Sequence, residues 1–289
     1  MLVLVVGATG KFAHLVVPEL KKRGARVRAL IRGKDREAKA REYGVDEVVV
    51  GDLEDPSSLR SAAKGVEGVF HLNPAFAPNE ARLGTAMVEV ARSSGVKKFV
   101  FSGVIHPSLS KMIGHAAKQP VEEAIYDSGL NFVILQPAMF MQNLGNAWNV
   151  ILTTGQFALP YSKQSKTCYV DYRDVAEAAA LGLTGDSLDY GTFELSSHGL
   201  SSRAEIAHLI SEVLGRKVEA TEVSFEKWVQ AAQIPEGPMR QGIKAMFEHY
   251  DRIGLAGGNG LVLRSILGRE PRTLPQYIRE LATTQKMAA

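Results

Sequence analysis

The sequence predicts an α/β protein built on a doubly wound parallel sheet, with a smaller and mostly helical lobe in its C-terminal part. Three observations predict this class. An apolar strand at residues 2–6 runs directly into a glycine turn, strand and helix patterns alternate through the first half, and helical patterns dominate after residue 201. Because a helix separates each pair of successive strands in the first half, these strands are expected to be parallel.

The first half of the chain is predicted to hold six strands separated by helices. Strands are predicted at 2–6, 26–32, 48–50, 66–71, 98–102 and 132–135, and helices at about 11–23, 35–43, 56 onward, 81–94 and 115–128. The first helix is expected to end at Gly24, since glycine is the usual C-terminal cap. Asp55 followed by Pro56 predicts the start of the third helix, with the aspartate as its cap and the proline in first position.

The pattern loosens after Pro137. Residues 137–167 have no clear period and are predicted to be loop and short helix over the carboxyl edge of the sheet. A helix opening at 171–175, a strand at 192–195 and helices at 202–214, 225–232 and 239–253 are predicted next. We expect a sheet domain of residues 1–155, completed by about 168–197. Residues 198–289, together with the 137–167 region, are expected to form a smaller lobe that closes over this edge.

Composition excludes several classes of function. The chain of 289 residues has 34 basic and 31 acidic side chains, and no long run of one sign or alternation of basic and aromatic residues predicts a nucleic-acid surface. Its one cysteine, Cys168, has no cysteine partner for a disulfide or a metal cluster, which fits a reducing cytoplasm. The apolar N-terminal run is too short for a membrane span and lacks the basic start of a signal peptide. We therefore expect a cytoplasmic protein without a metal, nucleic-acid or membrane partner.

The glycine turn is the first candidate site. Gly7 permits a tight turn and Gly10 a close approach of phosphate, while Ala13 stands where a third glycine is usual and alanine is tolerated. Backbone N–H groups and the positive end of a helix dipole then point at one place, which suits the pyrophosphate of a dinucleotide. The predicted cofactor contacts here are Gly7, Thr9, Gly10, Lys11 and Phe12. The alternative is a strand-to-helix joint that binds no ligand.

The residue at the end of the second strand indicates which dinucleotide is bound. NAD-binding domains commonly carry an acidic residue there, whereas this chain has Arg32, whose planar guanidinium suits a 2′-phosphate. Lys34 and Arg36 add positive charge, so NADP(H) is favoured over NAD(H); the alternative is an ordinary surface arginine. After the third strand, Asp52 is predicted to accept from the adenine amino group and Leu53 to cover the ring. Asp52 as a plain turn residue is the alternative.

These segments together resemble a known family, the NmrA-like group of atypical short-chain dehydrogenases/reductases. The resemblance rests on Gly7-Ala8-Thr9-Gly10, residues 27–32, Gly51-Asp52-Leu53, and residues 128–130, 135–143, 170–176 and 267–273. It implies a Rossmann-type fold that binds NADP(H). It also implies one of two activities: reduction of quinones, dyes or other small conjugated acceptors, or sensing of the cofactor's redox state to regulate a partner protein.

Ordinary short-chain dehydrogenases, to which this family is related, have a catalytic tyrosine and a lysine four residues later. Lys118 lies in the expected lysine region, but Gly114 stands four residues earlier and the tyrosine is missing. Lys118 is either a ribose-binding lysine or an exposed helix lysine. His115 is the nearest replacement for the proton donor, with packing at a helix start as its alternative. Ser102 lies where the family has its catalytic serine, and its alternative is a strand-to-loop turn.

Two further segments complete the predicted site. Asn73 follows the fourth strand, where it and the backbone are expected to contact the cofactor ribose unless the segment is only a loop. Pro137 is a predicted cofactor contact at the end of the sixth strand. Met139, Phe140 and Asn143 are predicted to contact substrate, because substrate pockets form at this edge and a Met- and Phe-rich segment suits a planar apolar acceptor. Met141 and Trp148 also favour such a substrate pocket. The alternative for each of these residues is an ordinary place in the core of the smaller lobe.

The leading hypothesis is an NADP(H)-dependent reductase of a small conjugated acceptor such as a quinone. A delocalised acceptor takes a hydride without a protein acid, because water can protonate the product. The rival is a non-catalytic NADP(H) redox sensor that acts through a protein partner. A third hypothesis is an oxidoreductase of carbonyl substrates with His115 as the acid.

Overall fold

A computed structural model describes residues 1–286 and divides into two compact units. The first unit contains residues 1–110, 114–137 and 172–194. The second contains residues 111–113, residues 138–171 and the chain from residue 195 onward. The glycine turn and the end of the second strand therefore belong to the first unit.

The first unit is organised around a seven-stranded sheet, which confirms the predicted doubly wound class. Its strands are β1 (Leu2–Val6), β2 (Arg26–Ile31), β3 (Glu47–Val50), β4 (Gly68–Leu72), β5 (Lys98–Ser102), β6 (Asn131–Pro137) and β10 (Gly191–Leu195). They lie in the order β3-β2-β1-β4-β5-β6-β10, and β1 to β6 pair in parallel. The strand order reverses between β1 and β4, and this reversal is where open α/β sheets place their ligands.

Helices cover the sheet of the first unit on both faces. They are α1 (Val16–Lys22), α2 (Glu37–Glu42), α3 (Pro56–Ala63), α4 (Glu80–Ser93), α6 (Gln119–Asp127) and α8 (Tyr172–Thr184). A short helix, α5 (Ile113–Ala116), begins with a residue of the second unit. Leu4, Phe99 and Ile134 are buried with residues of α3, α4 and α6 in one core cluster. On the other face α8 approaches β6 so closely that a Cβ added to Gly182 would lie 3.1 Å from Val133. Alternate strand residues therefore face opposite helix layers.

Two predicted helices of this unit need correction. The helix predicted at 11–23 begins later, with a 3₁₀ turn at Ala13–Leu15 that leads into α1, because the turn after β1 extends through Phe12. The helix predicted at 115–128 is broken into α5 and α6. Pro120 lies in the first turn of α6 and has no N–H to continue the preceding helix. The cap predicted at Asp55 is confirmed, since its carboxylate accepts from the backbone N–H of Ser57 at 2.9 Å.

The second unit combines helices with short strands. Its strands are β7 (Met139–Phe140), β8 (Gln156–Leu159), β9 (Lys166–Val170), β11 (Leu200–Ser202) and β12 (Glu219–Glu222), and its helices are α7 (Gly145–Thr154), α9 (Arg203–Leu214), α10 (Phe225–Ala231), α11 (Pro238–Ile253), α12 (Gly260–Leu267) and α13 (Leu274–Lys286). The core includes Trp148, Ile210 and Ile278. The region predicted as loop and short helix thus contains a ten-residue helix and parts of two small sheets. Backbone pairing with distant segments, such as β8 with β12, stabilises those strands.

None of the helices within residues 1–286 is both long enough and apolar enough to span a membrane.

Candidate functional site

The turn after β1 is built around two glycines. Gly7 has φ of +82°, a left-handed conformation that favours glycine, and the Gly10 N–H donates to the Gly7 carbonyl at 2.8 Å. A Cβ added to Gly10 would lie 3.1 Å from that carbonyl oxygen, and one added to Gly7 would lie 3.5 Å from the Ala13 methyl. The turn is therefore tight, free of side chains at both glycines, and compatible with alanine at position 13. These features fit a pyrophosphate group.

The side chains around this turn hold its shape and add positive charge. His14 Nδ1 donates to the Gly10 carbonyl at 2.8 Å, and its ring stacks on Tyr43 with centroids 4.4 Å apart. The Lys11 ammonium lies 5.6 Å from the centre of the Phe12 ring, and desolvation lowers the pKa of Lys11. Thr9 is half-buried within the turn. His14 thus has a structural role in the turn, while a phosphate contact from Lys11 stays a prediction.

Arg32, immediately after β2, differs from the two arginines within that strand. Arg26 and Arg28 each form an ion pair of 2.7 Å with Glu47. Arg32 is exposed, and no acidic residue between positions 1 and 286 forms an ion pair with it. Its guanidinium donors are therefore available to an anionic ligand. Of the two predicted auxiliary cations, Arg36 pairs with Asp35 at 3.1 Å whereas Lys34 is exposed.

The segment after β3 makes a tight turn. One carboxylate oxygen of Asp52 accepts from the backbone N–H of Glu54 at 2.9 Å, and Leu53 is half-buried against the sheet core. A Cβ added to Gly51 would lie 2.9 Å from Leu30. The turn role of Asp52 is therefore present in the structure, while adenine contacts from Asp52 and Leu53 stay predictions.

The end of β4 leads into a buried polar network. His71 donates from Nε2 to the Asn73 side-chain oxygen at 2.5 Å, and the Asn73 amide donates to the Glu80 carbonyl at 3.2 Å. The His71 ring also stacks on Phe101. Both ends of the Asn73 side chain are thus engaged inside the protein. A ribose contact from Asn73 or its backbone stays a prediction.

Lys118 is buried and paired with an acidic residue. Its ammonium pairs with the Glu80 carboxylate and donates to the Gly114 carbonyl at 3.0 Å. The side chains of Lys118 and Glu80 are only 9% and 2% exposed. The prediction of an exposed helix lysine is wrong, because the chain supplies a buried counter-charge that sequence reasoning missed. Ribose binding by Lys118 stays a prediction.

The environment of His115 does not favour proton donation. The residue is buried, its Nδ1 lies 3.3 Å from the His106 carbonyl, and burial lowers its pKa to about 4. The imidazole is therefore neutral near pH 7 and carries no readily released proton. Packing at a helix start, the alternative, accounts for what the structure shows.

Ser102 lies at the end of β5 and interacts with a tyrosine that the sequence analysis used only as a helix start. The Tyr172 hydroxyl donates to Ser102 Oγ at 3.1 Å, and its ring centre lies 5.3 Å from that of Phe12. Burial raises the pKa of Tyr172, so the hydroxyl keeps its proton. Tyr172 thus links the β5 terminus to the glycine turn.

Glu122 is a second buried acid that sequence reasoning missed. The Gln136 amide nitrogen lies 3.0 and 2.9 Å from the two carboxylate oxygens of Glu122, and burial raises the pKa of this carboxyl group. A Cβ added to Gly103 would lie 3.2 Å from Glu122 Oε1. Glycine after Ser102 therefore makes room for this acid.

The segment from Pro137 to Asn143 crosses from the first unit to the second. Pro137 is buried at the end of β6, where its carbonyl accepts from Ile105 at 3.0 Å. Met139 and Phe140 are half-buried in β7, and Asn143 is exposed in a 3₁₀ turn. These residues stay predicted contacts. Met141 and Trp148, by contrast, lie in the core of the second unit, in agreement with the alternative that they are ordinary core residues.

Across residues 1–286, no three His, Cys, Asp or Glu side chains are grouped so that they could hold a metal ion.

Comparison with known proteins shows which family the chain belongs to. The model of the NmrA-like family matches residues 1–280, and the chain belongs to this family. It is 32% identical over 241 residues to an NAD(P)H azoreductase of Xenophilus azovorans, with 80% of each chain covered. Its fold is similar to that of Citrobacter sp. triphenylmethane reductase complexed with NADP(H), with a TM-score of 0.84, 24% identity and coverage of 96% and 99% of the two chains. It is also similar to the Escherichia coli NADPH-dependent quinone oxidoreductase complexed with NADPH, with a TM-score of 0.83, 20% identity and coverage of 97% and 99%.

The buried histidine of β4 predicts a pH dependence of stability. Burial lowers the pKa of His71 from 6.5 to about 4, so below pH 6.5 the unfolded chain binds a proton that the folded chain does not. The free energy of unfolding, measured in urea, should therefore fall as the pH is lowered from 6.5 towards 4. His71→Phe, which keeps a ring beside Phe101, should remove a large part of that slope, with the rest due to His115. His208→Ala, at an exposed site, should keep the full slope; an unchanged slope in His71→Phe would contradict the assignment.

Proposed function

We propose that the chain is an NADPH-dependent reductase that delivers a hydride to a small conjugated acceptor, such as a quinone or an azo dye. The observation that carries the proposal is the tight glycine turn at Gly7 and Gly10, in a chain that has Gly114 where ordinary short-chain dehydrogenases have their catalytic tyrosine. The names of the relatives, an azoreductase, a triphenylmethane reductase and a quinone oxidoreductase, support this class of acceptor.

The residues of the first unit would hold the cofactor in two places. Gly7, Thr9, Gly10, Lys11 and Phe12 would surround the pyrophosphate, and Arg32 would pair with the 2′-phosphate. NADPH, when bound, supplies the hydride. Ser102, which Tyr172 orients, would fix the position of the acceptor or of the nicotinamide ribose.

The acceptor class follows from the missing acid. Gly114 has no side chain to donate a proton, and neutral His115 holds its proton at pH 7. A quinone that gains a hydride becomes a hydroquinone anion, whose charge is delocalised and which takes a proton from water. An isolated ketone would become an alkoxide, which needs a positioned acid.

A panel of acceptors tests the proposal. Purified protein should oxidise NADPH in the presence of a naphthoquinone, an azo dye or a triphenylmethane dye, and much more slowly with a saturated ketone as the control. His115→Ala should leave quinone reduction nearly unchanged. Selective loss of ketone reduction in that variant would instead support His115 as an acid. Tight NADPH binding without turnover of any acceptor would refute the reductase and favour a redox sensor with a protein partner.

A further inference from the structure

Phe76, in the loop between β4 and α4, has an unusual backbone. Its φ is +60°, a left-handed conformation that is uncommon for a bulky residue and costs on the order of 1–3 kcal/mol. One carboxylate oxygen of Glu80 accepts from the Phe76 N–H at 2.9 Å and holds this conformation. Such strain persists only where surrounding contacts fix the residue, and strained residues are concentrated at functional sites.

The Phe76 ring lies against Gly114. A Cβ added to Gly114 would lie 2.9 Å from the ring atom Cε1 and 3.5 Å from Cδ1 and Cζ. Position 114 therefore cannot carry a side chain, a tyrosine included, while the ring stays in place. The aromatic ring occupies the space next to the position where ordinary short-chain dehydrogenases have their proton donor.

The buried ion pair connects both sides of this contact. Glu80 binds the Phe76 backbone through one oxygen and Lys118 through the other, and Lys118 donates to the Gly114 carbonyl. The four residues form a closed set of contacts that fixes the ring relative to position 114. Phe76 itself is half-buried, so part of its side chain remains accessible.

The Phe76 ring lies near the edge of the sheet where ligands of this fold class bind. The loop that carries Phe76 follows the carboxyl end of β4, beside the reversal of strand order between β1 and β4. Ligands of open α/β sheets bind at that edge. A ring surface there offers apolar and π contacts in place of a hydroxyl donor, which favours a flat delocalised molecule over an isolated carbonyl compound.

We propose that Phe76 determines acceptor specificity, with its ring as the contact surface for a planar conjugated acceptor in place of the tyrosine. This inference rests on the proposed function for its acceptor class. Its test measures both acceptor binding and turnover.

Phe76→Leu keeps an apolar side chain but removes the ring. Binding of 1,4-naphthoquinone to the NADP⁺-loaded protein should weaken by roughly three- to tenfold, the range expected for a lost aromatic contact. The preference for naphthoquinone over the small non-aromatic enone cyclohexenone should fall by a similar factor in kcat/KM. Phe76→Tyr should retain both. Phe132→Leu, a matched change at the amino end of β6, should alter neither.

A double-variant cycle tests the contact with position 114. Gly114→Ala, which displaces the ring, should also weaken naphthoquinone binding, and combining it with Phe76→Leu should add little further loss. Weaker binding in Phe76→Leu supports the inference even if the wild-type protein reduces no acceptor, which would refute only the proposed function. Unchanged binding and preference in Phe76→Leu, with normal NADPH affinity, would overturn the inference while leaving the reductase proposal standing.

Discussion

Replacing Arg32 with alanine should weaken NADPH binding by roughly ten- to a hundredfold and change NADH binding little. A charge-assisted hydrogen bond contributes about 1.5–3 kcal/mol, and each 1.4 kcal/mol is a factor of ten in affinity. The effect should be selective because the two cofactors differ only in the 2′-phosphate. Dissociation constants for both cofactors, from titration of the purified protein, measure it.

The same strand provides a matched control for this experiment. Arg26→Ala also removes an exposed guanidinium, but Arg26 is already paired with Glu47. Its loss should change both affinities less than twofold, apart from a weak field effect that salt screens. An equal loss of NADPH and NADH affinity in Arg32→Ala would show that Arg32 does not bind the 2′-phosphate.

The contrast between Arg26 and Arg32 shows what the sequence can and cannot reveal about a charged residue. The sequence places both in one predicted strand, residues 26–32, and only the structure shows that Glu47 neutralises one of them. Glycine positions are easier to interpret, because a left-handed φ or a close backbone approach requires that residue type directly. The turn at Gly7 and Gly10 is therefore predictable from a short segment.

The accuracy of strand prediction depends on whether a strand has a local apolar pattern or exists only through pairing with a distant segment. The strands β1 to β6 are predicted to within two residues, because each is a short apolar run between turn residues or charged helices. The strand β12, Glu219–Glu222, has no apolar run and exists because it pairs with β8, more than fifty residues away. Local patterns do not contain that information. The sequence also predicts neither α12 nor α13.

The acidic residues of the site were missed for a related reason. Glu80 is separated from Lys118 by 38 residues, and each alone reads as an ordinary helix surface charge. Only the packing of α4 on α6, where a Cβ added to Gly84 would lie 2.4 Å from Val121, brings them together. A buried lysine nevertheless requires a counter-charge, so the burial of Lys118 by itself implies an acidic residue beside it.

Breaking this pair should have the largest effect on stability. Glu80→Gln leaves the Lys118 ammonium buried without its counter-charge, and removal of one partner of a buried ion pair costs about 3–5 kcal/mol. The double variant Glu80→Gln/Lys118→Met removes the stranded charge as well and should recover a large part of that loss. Urea unfolding of the two variants and the wild type measures the difference. Equal stability of the single and double variants would show that the pair carries no such coupling.

The double variant also separates the two roles of Lys118. If Lys118 only neutralises Glu80, the double variant should recover stability and bind NADPH as tightly as the wild-type protein. If Lys118 also binds the nicotinamide ribose, the double variant should recover stability but bind NADPH more weakly than the wild type, because methionine cannot donate a hydrogen bond. We expect the second pattern, since a hydrogen bond to the ribose that is lost with Lys118 does not return when the buried charge is removed. Wild-type NADPH affinity in the double variant would assign Lys118 to the support of Phe76 and Gly114 alone.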